Sequence, residues 1–508
     1  MDGKILKSSI IISLFVFFTS VFNYFNLFLL AFTFGAGMEM DAFFAATTIP
    51  QLITLILAAT LSTTLIPIFI EAKSEDEPNA WKIASISENL LSLSLFIIAL
   101  VGIFFSNYVI ALINPGFTEE TTRISASLFR ILLISLIFSG SSIILTSLHY
   151  AHKRFFKPSF AQGINSLITF LFVLNLRTTL GVKSIAIGTL VGSLIQFVYL
   201  LPIFFKKGRY SLEFDFKKKE ILKLGRLMFP LLIGSIFYKT NNLVERFIAS
   251  KLGEGSVSYL GYAYKIIMAF SVMISQGIST ALFPRMSEYS AVKDFQSLKE
   301  ILSKAIRVLI IITAPIAFMI LFARFELVRL IFERGNFDSQ TTVAVGKALI
   351  AYLGYFVVIS IALPIVNTMY SLQETTKVAA IGVFGFGVYV FLALFLSHYF
   401  SYIGVALAVS IQYMITLIIY ICLIKVKLIG FEWHKIFVCV FKAILASGLV
   451  SIIVLGIRKF SKPLIAQPFD LIVFVILGFC MYFLVLIIFK TEELKFLKIN
   501  LSYLKKEN

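Results

Sequence analysis

Leu471 to Phe489 reads LIVFVILGFCMYFLVLIIF, nineteen residues without a charge. About 20 mainly apolar residues in a helix cross the roughly 30 Å hydrocarbon core of a bilayer. The run is apolar on every face and does not alternate as a strand of a membrane barrel must. In lipid such a segment has to satisfy its backbone internally, which a helix does. Working outward, Leu90 to Leu112 has the same character. Over all 508 residues the apolar fraction is 59% and the charged fraction 14%, with a mean hydropathy of +0.94. A soluble domain is about a quarter charged, so a water-soluble fold is excluded.

The chain therefore reads as an all-α polytopic membrane protein of about fourteen spans. We place them near 9–34, 43–71, 87–113, 124–150, 157–178, 182–206, 221–251, 256–289, 301–332, 341–372, 376–398, 402–427, 434–457 and 469–490. The first is too long for a signal-peptide core and has no small-residue cleavage site behind it, so it reads as retained. An even number of spans puts both termini on one side. With the N-terminus inside, 30 of the 45 Lys and Arg residues fall on the cytoplasmic side. The heaviest cluster, Lys206, Lys207, Arg209, Lys217, Lys218, Lys219, Lys223 and Arg226, lies between spans 6 and 7. This is the positive-inside pattern, and it predicts a multi-pass protein of the inner membrane with both termini cytoplasmic. It also accounts for the net charge of +18 through anionic lipid head groups rather than nucleic acid.

An internal duplication organises the spans. Ser62-Thr63-Thr64-Leu65-Ile66-Pro67 with Glu71 recurs 217 residues later as Ser279-Thr280-Ala281-Leu282-Phe283-Pro284 with Glu288. Phe117 with Thr121-Thr122 recurs 220 residues later as Phe337 with Thr341-Thr342, and Tyr150 and Tyr370 share that offset. The matches predict two pseudo-symmetric six-helix bundles, 1–210 and 211–430, followed by spans 13–14 and a cytoplasmic tail over 431–508. Six spans per repeat is an even number, so both halves insert alike. That is the parallel-repeat arrangement of transporters, with the substrate site between the halves.

Candidate enzymatic chemistry is sparse. The four histidines, His149, His152, His398 and His434, lie near span ends or in loops, and there is no phosphate-cradling Gly-Lys-Ser loop. No cofactor and no metal site is expected. Cys422, Cys439 and Cys480 show no pairing or metal spacing and read as small core residues.

Charge inside a span is costly and marks a functional site by default. Span 7 carries Lys239 and Arg246 two turns apart, on one face with Asn242, and Glu245 lies about a third of a turn away. Span 8 adds Lys265 beside Tyr262 and Tyr264, span 4 Arg130 and span 10 Lys347. Lys239, Asn242, Arg246 and Lys265 are the candidates for an anionic head group, with Glu245 as a candidate for ion coupling. The plainer alternatives are a mutually satisfied Glu245–Arg246 pair and lysines snorkelling to an interface. Span 1 carries an uncharged stripe of Thr19, Ser20, Asn23, Asn26 and Thr33, which serves either as interhelical glue or as cavity lining. Asp41, after the turn at Gly35-Ala36-Gly37, is a further lining candidate, or simply caps the second helix. Arg130 completes the possible lining. Pro50, Pro67, Pro230, Pro284, Pro315 and Pro364 permit bending.

Phe34-Gly35-Ala36-Gly37-Met38, followed by Asp41-Ala42-Phe43-Phe44 and Pro50, resembles the MurJ/MviN family of lipid II flippases. That family belongs to the wider superfamily of multidrug and polysaccharide exporters. Gly255-Ser256-Val257-Ser258 with Tyr262-Ala263, Pro284, and Phe332 with Gly335 and Phe337 extend the resemblance across spans 1–12. It implies a V-shaped pair of bundles and two C-terminal helices forming a groove for a polyprenyl tail. It also implies flipping of an undecaprenyl-pyrophosphate-linked sugar precursor to the outer leaflet for peptidoglycan synthesis, with a lipid-linked glycan and cell-wall synthesis proteins as partners. The family's arginines in span 1 and early span 2 are replaced by Ser20, Asn26 and Thr54-Leu55; its span 8 arginine is Lys265, and a nearby acidic position is Met268. Lysine keeps the charge but loses the bidentate fork. Besides the flippase, the substitutions leave open a cation-coupled drug or metabolite exporter relying on Glu245, and a non-transporting partner in envelope biosynthesis.

Overall fold

The computed structural model describes residues 22–152, 154, 156–207, 210–460, 470–489 and 491, and among these it is helical without strands. The chain packs as two compact units. Unit 1 takes Met1–Ser258 with Arg334–Asp338, and unit 2 takes Tyr259–Glu333 with Ser339–Asn508.

Unit 1 holds α1 (Phe22–Phe34), α2 (Met38–Glu75), α3 (Glu77–Phe104), α4 (Ser106–Ile113), α5 (Glu119–Ala151), α6 (Phe156–Leu180), α7 (Lys183–Leu200), α8 (Pro202–Lys207), α9 (Lys219–Lys239) and α10 (Asn241–Ala249). Lipid tails are as apolar as leucine, so helices in a membrane associate through close packing of small residues and through polar bridges. Both devices are present. A Cβ on Gly140 of α5 would come within 2.2 Å of Leu95 on α3, and one on Gly188 of α7 within 3.0 Å of the Thr169 backbone on α6. Asn165 of α6 donates to Gln196 of α7 at 2.9 Å.

Helix α9, which the repeat assigns to the second half, packs on α2 and α3. Lys223 pairs with Glu71 at 2.7 Å, and Asn79 donates to Glu220 at 3.3 Å. The packing boundary at Ser258 thus lies beyond the repeat boundary expected at 210. The side chains of Ser279 to Ala281 and of Pro284, part of the second repeat motif, lie outside the described residues.

Unit 2 holds α11 (Ser256–Ala291) beyond its first turn, α12 (Phe295–Phe332), α13 (Ser339–Ala351), α14 (Leu353–Ser371), α15 (Thr375–Lys427), α16 (Trp433–Phe460) and α17 (Asp470–Ile488). Its core joins Leu302, Ile306, Ile365, Tyr420, Ala443 and Tyr482 from five of these helices. Cys439 lies in this core, but Cys422 and Cys480 are exposed. The expectation of three core cysteines thus holds for Cys439 alone, because the other two fall on outward faces of apolar helices, where a thiol costs nothing against lipid.

Ten described helices are long and apolar enough to cross a membrane, and Phe22–Phe34 and Val473–Ile488 are shorter apolar helices. The 53 residues of α15 turn at Ser401, with φ 52° and ψ −141°, where the sequence reading separates spans 11 and 12. Glu374, just before α15, pairs with Lys427 at its far end and with Lys377 at 3.0 Å, closing the hairpin. Span 10 is broken at Tyr352 rather than continuous, since α13 ends at Ala351. The cause is an inserted side chain. Ser410 Oγ donates to the Ala351 carbonyl at 2.5 Å and accepts from the Tyr355 amide at 3.0 Å. Span 7 likewise divides at Thr240 and span 3 at Phe105.

Candidate functional site

The turn after α1 is a dense polar junction of unit 1. A helix leaves its last carbonyls and first amides without intrahelical partners, and here loops distant in sequence supply them. Gly35 terminates α1 with φ +65°, a left-handed conformation that glycine adopts without strain. The Asn336 amide donates to the Phe32 carbonyl at 3.0 Å, and Asn336 Nδ2 donates to the Thr33 carbonyl at 2.6 Å. At the start of α2, the Met38 amide donates to Glu254 Oε1 at 3.0 Å.

Asp41 does not cap its own helix, for α2 has no side-chain cap. Its carboxylate instead accepts from the Gly255 amide at 2.6 Å, the Ser258 amide at 2.7 Å and the Ser258 hydroxyl at 2.6 Å. It thereby caps the first turn of α11, where a negative charge is favourable. At 2% exposure Asp41 is fully enclosed, so it lines no open cavity in this conformation.

Arg246 and Glu245 are buried in the same region. Arg246 Nη1 donates to the Val257 carbonyl at 2.6 Å and lies 3.6 Å from Glu245 Oε1, and the guanidinium sits 5.4 Å from the Phe44 ring centroid. Neighbouring charges, a carbonyl and a ring face compensate the cost of burying the cation. Asn242 is half-buried, and the Lys239 side chain lies outside the described residues.

The α1 stripe bonds to α6. Ser166 Oγ donates to Asn23 Oδ1 at 2.8 Å, and Asn26 Nδ2 donates to the Ser166 carbonyl at 2.9 Å. Asn23 and Asn26 thus act as glue between helices, while Ser20 and Thr19 lie outside the described residues. Arg130 is exposed and bridges α5 to α4, its Nε donating to Ser106 Oγ at 2.6 Å.

In unit 2, Lys265 is exposed on α11, as is Lys347 on α13. Beside Lys265 stands a group of tyrosines. Tyr264 stacks on Tyr355 at 6.0 Å, and Tyr355 meets Tyr413 edge-on at 4.6 Å. The Tyr355 hydroxyl reaches Met268 Sδ at 3.4 Å. Sequence reasoning found Tyr262 and Tyr264 and missed Tyr355 and Tyr413, which lie about 90 and 150 residues further on. No local motif marks them: Tyr355 follows the break at Tyr352 on α14, and Tyr413 lies on α15. A second feature of unit 2 is an apolar pocket among α12, α16 and α17, lined by Phe318, Met319, Phe322, Val454, Phe474 and Phe479, with Arg458 at its edge. Arg458 Nη1 bonds Glu326 at 3.1 Å.

The sequence profile described as lipid II flippase MurJ matches residues 30–490. The chain belongs to the lipid II flippase MurJ family. A probable lipid II flippase MurJ of Buchnera aphidicola subsp. Schizaphis graminum is 28% identical over 456 residues, 87% of this chain and 88% of that protein. One from Rickettsia prowazekii is 28% identical over 417 residues, covering 80% and 81%. Among solved structures, lipid II flippase MurJ in an inward closed conformation superposes with a TM-score of 0.82 at 24% identity, over 94% of this chain and 98% of that one. An inward-facing multidrug resistance MATE family transporter of the MOP superfamily gives 0.70 at 15% identity, over 82% and 95%. Those two likenesses speak to fold. Family membership and the apolar helices together make the chain a multi-pass protein of the bacterial inner membrane with a transport role.

Part of the motif behind the MurJ resemblance meets at the unit 1 junction, while Tyr262, Ala263, Pro284 and Phe332 belong to unit 2. Gly35, Asp41, Gly255, Ser258 and Gly335 all meet there. Of the positions where the resemblance implies arginine, Asn26 is engaged with Ser166, Thr54 donates to the Pro50 carbonyl at 2.8 Å, and Leu55 is exposed.

Proposed function

We propose that this chain flips a polyprenyl-pyrophosphate-linked sugar precursor, lipid II or a close relative, from the cytoplasmic to the outer leaflet for peptidoglycan synthesis. The observation that carries the reading is the family match over residues 30–490. The apolar pocket of unit 2 supports it, because a flippase must keep a long prenyl tail in an oily environment while its head group moves. The N-terminus and C-terminus are both cytoplasmic in this reading, on the strength of the lysine and arginine bias. In this reading the chain divides at 210 and 430 into two homologous six-helix bundles, followed by spans 13–14.

For the anionic head group, Lys265 is the candidate cation in unit 2, because it is exposed beside the tyrosines, which offer hydrogen-bonding and stacking surface. Lys239 and Asn242 are further contacts on sequence grounds. Arg246 and Glu245 serve as the frame that holds the Val257 turn. Replacing the resident lipid II flippase of a bacterium with this chain tests the reading. Survival with normal exposure of lipid II on the outer leaflet is expected; lysis with precursor accumulating inside, although the chain is inserted, would overturn it.

A further inference from the structure

Between α8 and α9 the chain forms neither helix nor strand over 210–215. Its polar positions are fastened to α3. The Tyr210 hydroxyl donates to Asn89 Oδ1 at 2.5 Å, and Asn89 Nδ2 donates to the carbonyls of Ser211 at 3.0 Å and Glu213 at 2.9 Å. The Ser211 amide donates to Ser85 Oγ at 3.3 Å, and Glu213 pairs with Lys82 at 3.2 Å. The intervening residues point the other way, with Leu212 73%, Phe214 47% and Phe216 62% exposed.

Lys217, Lys218 and Lys219 follow at once, within a stretch, 206–226, of eight basic and three acidic residues. Lys218 is occupied by Asn79 at 2.6 Å, while Lys217 and Lys219 are exposed. An apolar comb held rigidly on one edge and flanked by cations has the chemistry of an interfacial anchor. It differs from the lipid-facing sides of the spans, because it is a non-helical stretch fastened alongside the N-terminal half of α3 and continuous with the lysines.

We propose that residues 210–219 dock into the bordering leaflet, with Leu212, Phe214 and Phe216 in the acyl boundary and Lys217 and Lys219 on anionic phospholipid head groups. The fastening to Asn89 then couples the charge of that leaflet to the position of α3. A free segment would pay ordering entropy on docking; this one is already held.

The test uses full-length protein with Leu212→Trp, Phe214→Trp or Phe216→Trp, reconstituted in phosphatidylcholine vesicles with or without phosphatidylglycerol and carrying brominated acyl chains. Quenching is read as the excess over the unaltered protein, which corrects for Trp81 and Trp433. Each added indole is expected to be quenched by bromine in the phosphatidylglycerol vesicles, with loss of much of that quenching in pure phosphatidylcholine or with Lys217→Gln/Lys219→Gln. Quenching by aqueous iodide instead of bromine would overturn the proposal, as it places the comb in water or against a protein. Bromine quenching indifferent to phosphatidylglycerol and to the lysines would also overturn it, as no head group is then being read. None of these readings depends on transport, so they stand apart from a failure of the flippase assignment.

Discussion

Asp41 and Ser258 are 217 residues apart, yet the carboxylate of one accepts both the amide and the hydroxyl of the other, at 2.7 and 2.6 Å. Removing the carboxylate strands two buried amides, those of Gly255 and Ser258, while the Ser258 hydroxyl keeps the Gly255 carbonyl at 3.2 Å. Leaving buried donors unsatisfied costs about 1–3 kcal/mol each, so Asp41→Ala should lower stability by several kcal/mol. The measurement is survival of monodisperse protein after heating in detergent. Asp41→Asn retains one acceptor oxygen and should fall between the two. An Asp41→Ala protein as heat-resistant as the parent would show that the junction contributes nothing to stability.

Gly335 and Gly116 make matching contacts. A Cβ on Gly335 would stand 2.2 Å from the Phe32 carbonyl oxygen, and one on Gly116 2.3 Å from that of Ser250. The two glycines differ by 219 positions and their partners by 218, close to the offset of the duplicated motifs. Each loop therefore closes on the end of a helix from the opposite repeat, which supports the duplication. Both alanine substitutions should destabilise, because the obstructing atoms are backbone and cannot rotate away; overpacking of this kind costs about 1–3 kcal/mol. Gly335 also has φ +61°, so Gly335→Ala adds roughly 1–2 kcal/mol of left-handed strain and should be the worse of the pair on the same heating assay.

The spans were readable from sequence because a run of nineteen uncharged residues has only one solvent that suits it. The break at Ser401 was readable too, falling in the short gap between two such runs. The break at Tyr352 was not, since its cause is Ser410, a residue with nothing in its local sequence to mark it as the wedge. For the same reason Asp41 read as a cap for the helix it begins: its partners follow from tertiary packing. Arg246 and Glu245 were legible as a pair of charges in an apolar helix, but whether they faced a cavity or each other depended on where Val257 and Phe44 came to lie.

Ser410→Ala offers a direct probe of that wedge. It removes both the donor to Ala351 and the acceptor for Tyr355, at a cost of about 1–3 kcal/mol for buried unsatisfied backbone. Slower amide exchange at Tyr355 in the variant would mean that α13 and α14 had fused into one helix. Faster exchange is expected, because Gly354 and Tyr355 remain crowded by α15: a Cβ on Gly354 would meet that of residue 410 at 2.9 Å.

Glu374 gives the hairpin of α15 a pH dependence. The Lys427 and Lys377 side chains that donate to it hold its carboxyl below the ordinary value of 4.5. A carboxylate with a depressed folded-state pKa stabilises the fold above its ordinary pKa and loses that contribution as pH falls through the lowered value. Heat resistance should therefore decline below about pH 4.5 with a slope that Glu374→Gln reduces. An unchanged slope in Glu374→Gln would assign the acid sensitivity to other carboxylates.

Arg246 and Lys265 test the proposed division between frame and site. Arg246 is enclosed and engaged with Glu245 and Val257, so Arg246→Ala leaves a buried carboxylate without its cation, which costs about 3–5 kcal/mol. The expected result is loss of folded protein, with lipid II movement falling in proportion to the amount inserted. Lys265 is exposed, so Lys265→Ala should cost less heat resistance than Arg246→Ala does, while the rate per inserted molecule collapses. Lys265→Arg should restore that rate, since it keeps the charge and adds a fork suited to phosphate. If Lys265→Ala instead transports normally, the head group meets some other cation of this chain, and the measurements on Arg246→Ala, normalised to inserted protein, show whether that cation is the guanidinium inside unit 1.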